Sequence, residues 1–386
     1  MTTVEPTMTI AESAAHVGEK VAGPASEEVD RLARFPTEAL GALKDAGLLA
    51  VLVPRGQGGT GAQMIEVSKA TTALSRHCAS TAMIFAMHQI QVACLVHHGD
   101  SDYFRGYLRD LVEAQPLLAS ATTEAGIGGD TRTSGCAVER SGERFKLEKN
   151  APVISYGANS DAVLTTARRT PDSAPNDQVL VLCAPPGLSL EPVGEWDTFG
   201  FRGTCSLGFH LVAEGDVEMI LTDTFDVISR RTMLPVAHVL WGSVWLGIAS
   251  EAVDRARAYV RGEARKKPGV TPPAAVRLAE LVAVLEQMTS LVRSAARLYD
   301  EIADDPDALD AMGFAIQMNA LKISCSTLVV EIVGRAMTIC GMAGYREDSP
   351  YSLGRLLRDA HGAAVMVNND RIIANNAQML LVHKDR

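Results

Sequence analysis

The hydrophobic period of this chain changes twice along its length, and nothing else in the sequence constrains the fold as tightly. From Glu12 to about Leu118, apolar residues recur at three and four, as in Pro36-Thr-Glu-Ala-Leu-Gly-Ala-Leu-Lys-Asp-Ala and Met64-Ile-Glu-Val-Ser-Lys-Ala-Thr-Thr-Ala-Leu. That is the spacing of helices with one buried face. Between the two runs, Val53-Pro-Arg-Gly-Gln-Gly-Gly-Thr-Gly is dense in helix breakers and reads as a loop. From about Ala119 to Val227 the pattern shortens to runs such as Ala137-Val-Glu-Arg, Arg144-Phe-Lys-Leu-Glu, Ala162-Val-Leu-Thr-Thr-Ala, Gln178-Val-Leu-Val-Leu-Cys and Leu207-Gly-Phe-His-Leu. Clusters of Gly, Pro, Asn, Asp and Ser separate them, which is the grammar of strands and turns. After Ile228 the helical period returns and persists, with breaks at Lys267-Pro-Gly, Asp304-Asp-Pro and Cys340-Gly-Met-Ala-Gly-Tyr. The segments 272–302 and 306–339 exceed ordinary globular helices and read as arms of an antiparallel bundle. The expected class is α+β, mostly α, with a helical domain over 1–118, a β domain over 119–228 and a helical bundle over 229–386.

Composition narrows the function. With 47% hydrophobic and 21% charged residues the chain can bury a substantial core. Its net charge of −10 opposes sequence-independent nucleic-acid binding, which needs a basic footprint. The longest apolar stretches are interrupted by His88, His238 or Ser243, so no membrane span is expected. The first thirty residues carry acids and no apolar core of a secretory signal. Seven cysteines, at 78, 94, 136, 183, 205, 325 and 340, form no CxxC pair. That favours reduced thiols in the cytoplasm over a disulfide framework or a metal site.

Local strings sharpen the reading. Thr122-Thr-Glu-Ala-Gly-Ile-Gly-Gly-Asp130 resembles the Thr-Glu-Pro-Gly-x-Gly-Ser-Asp string that opens the β domain of the acyl-CoA dehydrogenase family. Lys149-Asn-Ala-Pro-Val-Ile-Ser-Tyr-Gly157 is similar to its Gly-x-Lys-x-Trp-Ile-Thr-Asn-Gly, and Ala264-Arg-Lys-Lys-Pro-Gly269 to its Glu-Arg-x-x-Phe-Gly. Cys340-Gly-Met-Ala-Gly-Tyr345 and Arg355-Leu-Leu-Arg-Asp-Ala360 match Gly-Gly-x-Gly-Phe/Tyr and Arg-x-x-Arg-Asp-Ala. Five strings in register across nearly the whole chain resemble this flavoprotein family. The resemblance implies a helical amino-terminal domain, a central β-barrel, a carboxy-terminal four-helix bundle, and a homodimer or homotetramer with FAD bound across a subunit interface.

A flavin needs donors at its pyrimidine edge, which gains negative charge on reduction. Thr122 and Thr123 supply hydroxyls there, and glycines at 126, 128 and 129 let backbone approach a pyrophosphate. Gly128 and Gly129 therefore join the cofactor set, although Gly129 stands where the family has a Ser. The resemblance places Ser155 against the reactive flavin nitrogen, puts Val153 where a Trp covers the ring, sends Arg265 to the phosphates of a neighbouring subunit, and adds Gly341 and Gly344. Each has a plainer alternative: a glycine turn, a strand-end hydroxyl, a solvated basic turn.

The chemistry is less settled than the cofactor. Dehydrogenation of an acyl thioester needs a carboxylate to remove the α-proton while a hydride leaves the β-carbon. The family's Glu maps onto Met366-Val367-Asn368-Asn369, and the alternative position on the first long carboxy-terminal helix maps onto Ala237-His238 and its neighbours. Neither holds a carboxylate. His238, Asp370 and His88 are the candidate replacements, with His361 a further one, against the ordinary readings of a core histidine or a helix cap. Three functions follow. The first is α,β-dehydrogenation of an acyl thioester on CoA or a carrier protein, with a non-standard base and an unidentified electron acceptor. The second is oxygenation by reduced flavin and dioxygen, served by a separate flavin reductase. The third is flavin binding without catalysis.

Overall fold

The computed structural model describes residues 8–127 and 131–384. The amino-terminal part is built from α1 (Ile10–Val17), α2 (Gly23–Leu32), α3 (Thr37–Asp45), α4 (Met64–Ser75), α5 (Ala79–His98) and α6 (Asp102–Ala114). Side chains set their starts. Thr9 and Glu12 form a reciprocal capping box at α1, Gln63 and Glu66 another at α4, and Ser101 caps α6. The predicted loop before α4 is a loop, and Gly59 is required in it: a Cβ there would lie 2.1 Å from the Val53 carbonyl oxygen.

Seven strands follow: β1 (Leu118–Ala121), β2 (Glu139–Ser141), β3 (Arg144–Ala151), β4 (Ala162–Arg168), β5 (Gln178–Cys183), β6 (Leu188–Val193) and β7 (Gly208–Asp216). They form two sheets, ordered β1-β4-β5 and β2-β3-β7-β6, which make up the expected central β domain. The division follows burial. Strands β4 and β5 are buried on both faces, whereas β3 alternates exposed and buried residues along its length. Strand β6 escaped the sequence reading; it is an edge strand, where Pro192 is tolerated because one side of the ladder has no partner.

The carboxy-terminal part comprises α7 (Phe225–Ile228), α8 (Leu234–Lys266), α9 (Ala274–Ile302), α10 (Pro306–Leu309), α11 (Met312–Cys340), α12 (Met342–Tyr345), α13 (Gly354–Val365) and α14 (Asn369–Leu380). Helices α8, α9 and α11 pack on one another, with α13 laid along α11 and α8 as the shorter fourth member. Asp300 on α9 accepts the first two amides of α4, Met64 N at 2.6 Å and Ile65 N at 2.9 Å, so the amino-terminal helices dock on the bundle. Asp359 on α13 accepts Phe201 N at 2.7 Å and joins the bundle to the β region.

Three helical stretches, Ala79–His98, Phe225–Lys266 and Met312–Cys340, are long and apolar enough to cross a membrane, contrary to the sequence expectation. A lone histidine or serine interrupts a run of letters but barely lowers its mean hydropathy. In the first two, the most apolar 18 residues are 89% and 94% buried inside the protein itself, and an all-round apolar helix is what a large core demands.

Candidate functional site

The segment assigned to the flavin ring begins where β1 ends. Thr122 and Thr123 are half-buried, and Thr123 Oγ1 donates to the Val153 carbonyl at 3.4 Å, joining the two motif segments. Gly126 takes φ +92°, a conformation open to glycine. Gly128 and Gly129 lie outside the described residues. Glu124 braces the loop: its carboxylate accepts Gly135 N at 3.1 Å and Cys136 N at 2.8 Å, and the fully buried Lys149 ammonium stands 3.7 Å away. Lys149 also donates to Thr166 O at 2.7 Å and Thr166 Oγ1 at 2.9 Å. Burial lowers the Lys149 pKa from its ordinary value, and the charge of Glu124 acts in the opposite sense.

The second wall is the turn after β3. Ile154 N donates to Leu207 O and Tyr156 N to Thr204 O, both at 2.8 Å, and the Tyr156 hydroxyl donates to Leu118 O at 2.9 Å. Tyr156 is held at φ +46° by these bonds. Between them Ser155 accepts from Ser206 Oγ at 2.9 Å, which leaves the Ser155 proton for another acceptor. Val153 is 40% exposed, a small apolar side chain on an open face.

The proposed bases fare differently. His88 is fully buried. Its Nε2–H donates to Leu49 O at 2.7 Å, and Nδ1 accepts Leu118 N at 3.0 Å, so both ring nitrogens are occupied. Burial pushes its pKa down to about 4. It ties α5 to β1, and neither ring nitrogen is left free for the base role expected of it. Asp370 is exposed in the first turn of α14, just after the N-cap Asn368; this is the position where a carboxylate favours a helix start. His361 is exposed on α13, its ring 6.0 Å from that of Phe199. His238 is buried on α8, where Nδ1–H donates to Met318 O at 3.1 Å and Nε2 has no partner. Its pKa is pushed down to about 4, by burial first and by the nearby Lys322 charge second.

Lys322 is the residue the sequence reading missed. It is fully buried on α11, and Nζ donates to Val367 O and Asn369 Oδ1, both at 2.7 Å. It therefore fastens the turn between α13 and α14, where the family's base maps. Val367 sits there at φ +50°, an unusual conformation for a β-branched residue, and is 43% exposed. The signal lay in the string Leu321-Lys322-Ile323, a lone charge in a helix otherwise uncharged from Met312 to Val330.

Arg265 is exposed at the carboxy-terminal end of α8, 27 residues beyond His238 and so about 40 Å along the helix axis. Gly341 ends α11 at φ +57°, and Gly344 is buried against Cys340 and Leu353.

Residues 5–115 match the acyl-CoA dehydrogenase N-terminal domain and residues 227–370 the acyl-CoA dehydrogenase C-terminal domain. The chain belongs to the acyl-CoA dehydrogenase family. Members of the family with different chemistries resemble it equally. It is 26% identical over 338 residues to a dibenzothiophene monooxygenase of Mycolicibacterium goodii, covering 82% of this chain and 81% of that protein. It is 26% identical over 350 residues to a probable acyl-CoA dehydrogenase, FadE25, of Mycobacterium tuberculosis strain H37Rv, covering 89% and 87%. Among solved structures, FMN-bound TdsC from Paenibacillus sp. A11-2 superposes with a TM-score of 0.86 at 19% identity, covering 98% of each chain, which speaks to the fold.

Proposed function

We propose that this protein is a flavin-dependent monooxygenase that receives its reducing equivalents from a separate flavin reductase. The observation that carries the reading is Val367. The turn that should present a carboxylate to an α-proton presents an aliphatic side chain, and none of the replacements is placed to act instead. His88 is fully engaged, Asp370 and His361 face solvent, and burial holds the His238 pKa down to about 4, which makes its free nitrogen a weak base for an α-proton. Oxygenation does not use that base. The relative from Mycolicibacterium goodii, named a monooxygenase, supports this.

The residues present fit a flavin. Thr122 and the free proton of Ser155 supply hydroxyl donors for its polar edge, while Thr123, whose proton goes to the Val153 carbonyl, braces the wall beside them, and Gly126 keeps the adjoining backbone open. When bound here, a reduced flavin would supply the two electrons, and with two protons from solvent the stoichiometry would place one atom of dioxygen in the substrate and the other in water. The protein's part is to orient the ring through Ser155, to hold the Thr122–Gly126 loop through Glu124, and to keep Val153 small beside the open face. FAD is the flavin in this reading, with Arg265 of one chain reaching the phosphates bound by another, as the family resemblance implies. Arg265→Ala is expected to weaken FAD retention about tenfold, the worth of one charged hydrogen bond, with melting of the flavin-free chain unchanged. Equal FAD content in the two purified proteins removes Arg265 from the site.

The second reading, dehydrogenation of an acyl thioester on CoA or a carrier protein, is favoured by the equal identity to FadE25. One experiment separates them. Under anaerobic conditions the yellow protein should keep its absorbance with a panel of acyl thioesters. It should lose it with a reductase and NADH, and regain it with oxygen. Bleaching by a thioester alone establishes dehydrogenation instead.

A further inference from the structure

One seam between α8 and α11 has polar groups that the fold itself leaves unmatched. His238, Trp241 and Trp245 occupy one face of α8 at spacings of three and four, opposite Met318 and Lys322 on α11. The His238 and Trp241 rings lie 6.1 Å apart, and Lys322 Nζ stands 5.8 Å from the centre of the Trp245 ring. Three buried atoms here have no hydrogen-bond partner: His238 Nε2, Trp241 Nε1 and Trp245 Nε1. Buried polar groups are almost always paired, so three orphans along one helix face call for a partner. Lys322 adds the charge. It is fully buried, touches only neutral acceptors, Val367 O and Asn369 Oδ1, and has no carboxylate beside it among the described residues. A buried lysine without an acid is rare.

We propose that this seam is a binding subsite for a carboxylate, the anionic end of the substrate, with Lys322 as its counter-charge and the indole N–H groups of Trp241 and Trp245 as its donors. Its assignment to the substrate rests on the oxygenase reading; the binding itself does not. The chemistry is complementary group by group. A carboxylate brings the negative charge that the ammonium lacks and the lone pairs that the two indoles lack. His238 Nε2, a bare lone pair because Nδ1 carries the proton toward Met318 O, is met when the carboxyl group binds together with one proton shared between them. A neutral amide of the same shape supplies no charge, and an apolar ring satisfies none of the four groups.

The chain has three tryptophans, two of them in the seam, so Trp196→Phe makes fluorescence a reporter of this place alone. The full chain carrying that change is titrated with benzoate, benzamide and toluene. Saturable benzoate binding is expected, with benzamide weaker by about tenfold or more and toluene weaker still, as for loss of a charged hydrogen bond. Lys322→Met, which keeps the packing volume, should weaken benzoate by about tenfold or more while leaving toluene unchanged. Trp241→Phe should weaken benzoate in the same direction and serves if Lys322→Met does not fold. No benzoate saturation, equal binding of benzamide, or undiminished benzoate binding by folded Lys322→Met overturns the subsite and leaves waters as the occupants. A protein that binds benzoate through Lys322 yet couples no oxygen consumption to any reductase supports the subsite and overturns only the oxygenase reading.

Discussion

His88→Ala is expected to lower the free energy of unfolding by about 3–5 kcal/mol, against a whole-domain stability of roughly 5–15 kcal/mol. Two losses add. Removing a fully buried imidazole leaves a cavity in the core beneath α5. It also strips Leu118 N of its acceptor at the first residue of β1, whereas Leu49 O keeps a second donor in Gln89 Nε2 at 3.1 Å. His88→Asn, whose amide oxygen can stand near the Nδ1 position, should recover part of the loss. Urea denaturation followed by circular dichroism measures all three proteins. A His88→Ala protein as stable as the parent but dead in turnover would return His88 to the chemistry. The same residue sets an acid limit. Folded, its pKa is about 4, against an ordinary 6.5, so the unfolded chain binds the proton first. Stability is complete above pH 6.5 and declines as pH falls toward 4. His238 acts in the same direction over the same window.

What the sequence disclosed, and what it hid, follows from the kind of information each feature carries. Helical period survives in a string because it is set by burial of one face, and so the long helices and their breaks at Lys267 and Cys340 were legible. Strand β3 was legible for the same reason, its alternation mirroring a sheet with one wet face, whereas β6 at an edge was missed. Family strings located the turn at Val367 because spacing along the chain is preserved. The role of a buried polar side chain is not written locally. His88 and His238 both lie in apolar helical text, yet one has both nitrogens paired to backbone from other elements and the other has one nitrogen bare. Lys322 meets its partners 45 and 47 residues downstream, a separation that no period reports.

Glu124→Gln is the change expected to damage the cofactor loop most while barely altering its shape. A carboxylate accepts both Gly135 N and Cys136 N; an amide has one acceptor and turns two N–H donors toward a second donor. It also leaves the Lys149 ammonium buried with Thr166 alone as partner. Loss of one member of a buried charged pair is worth about 3–5 kcal/mol, but the amide still accepts one bond, and a loss of about 2–4 kcal/mol is expected. Flavin should leave the protein at a lower temperature than in the parent, because the Thr122–Gly126 loop is what Glu124 holds. The double variant Glu124→Gln with Lys149→Met tests the cause, since removing both charges together costs less than stranding one. A thermodynamic cycle over the two single variants and the double should show a coupling of about 1 kcal/mol or more. Additive losses would mean that Glu124 serves only as an acceptor for two amides, and that Lys149 is held by Thr166 without it.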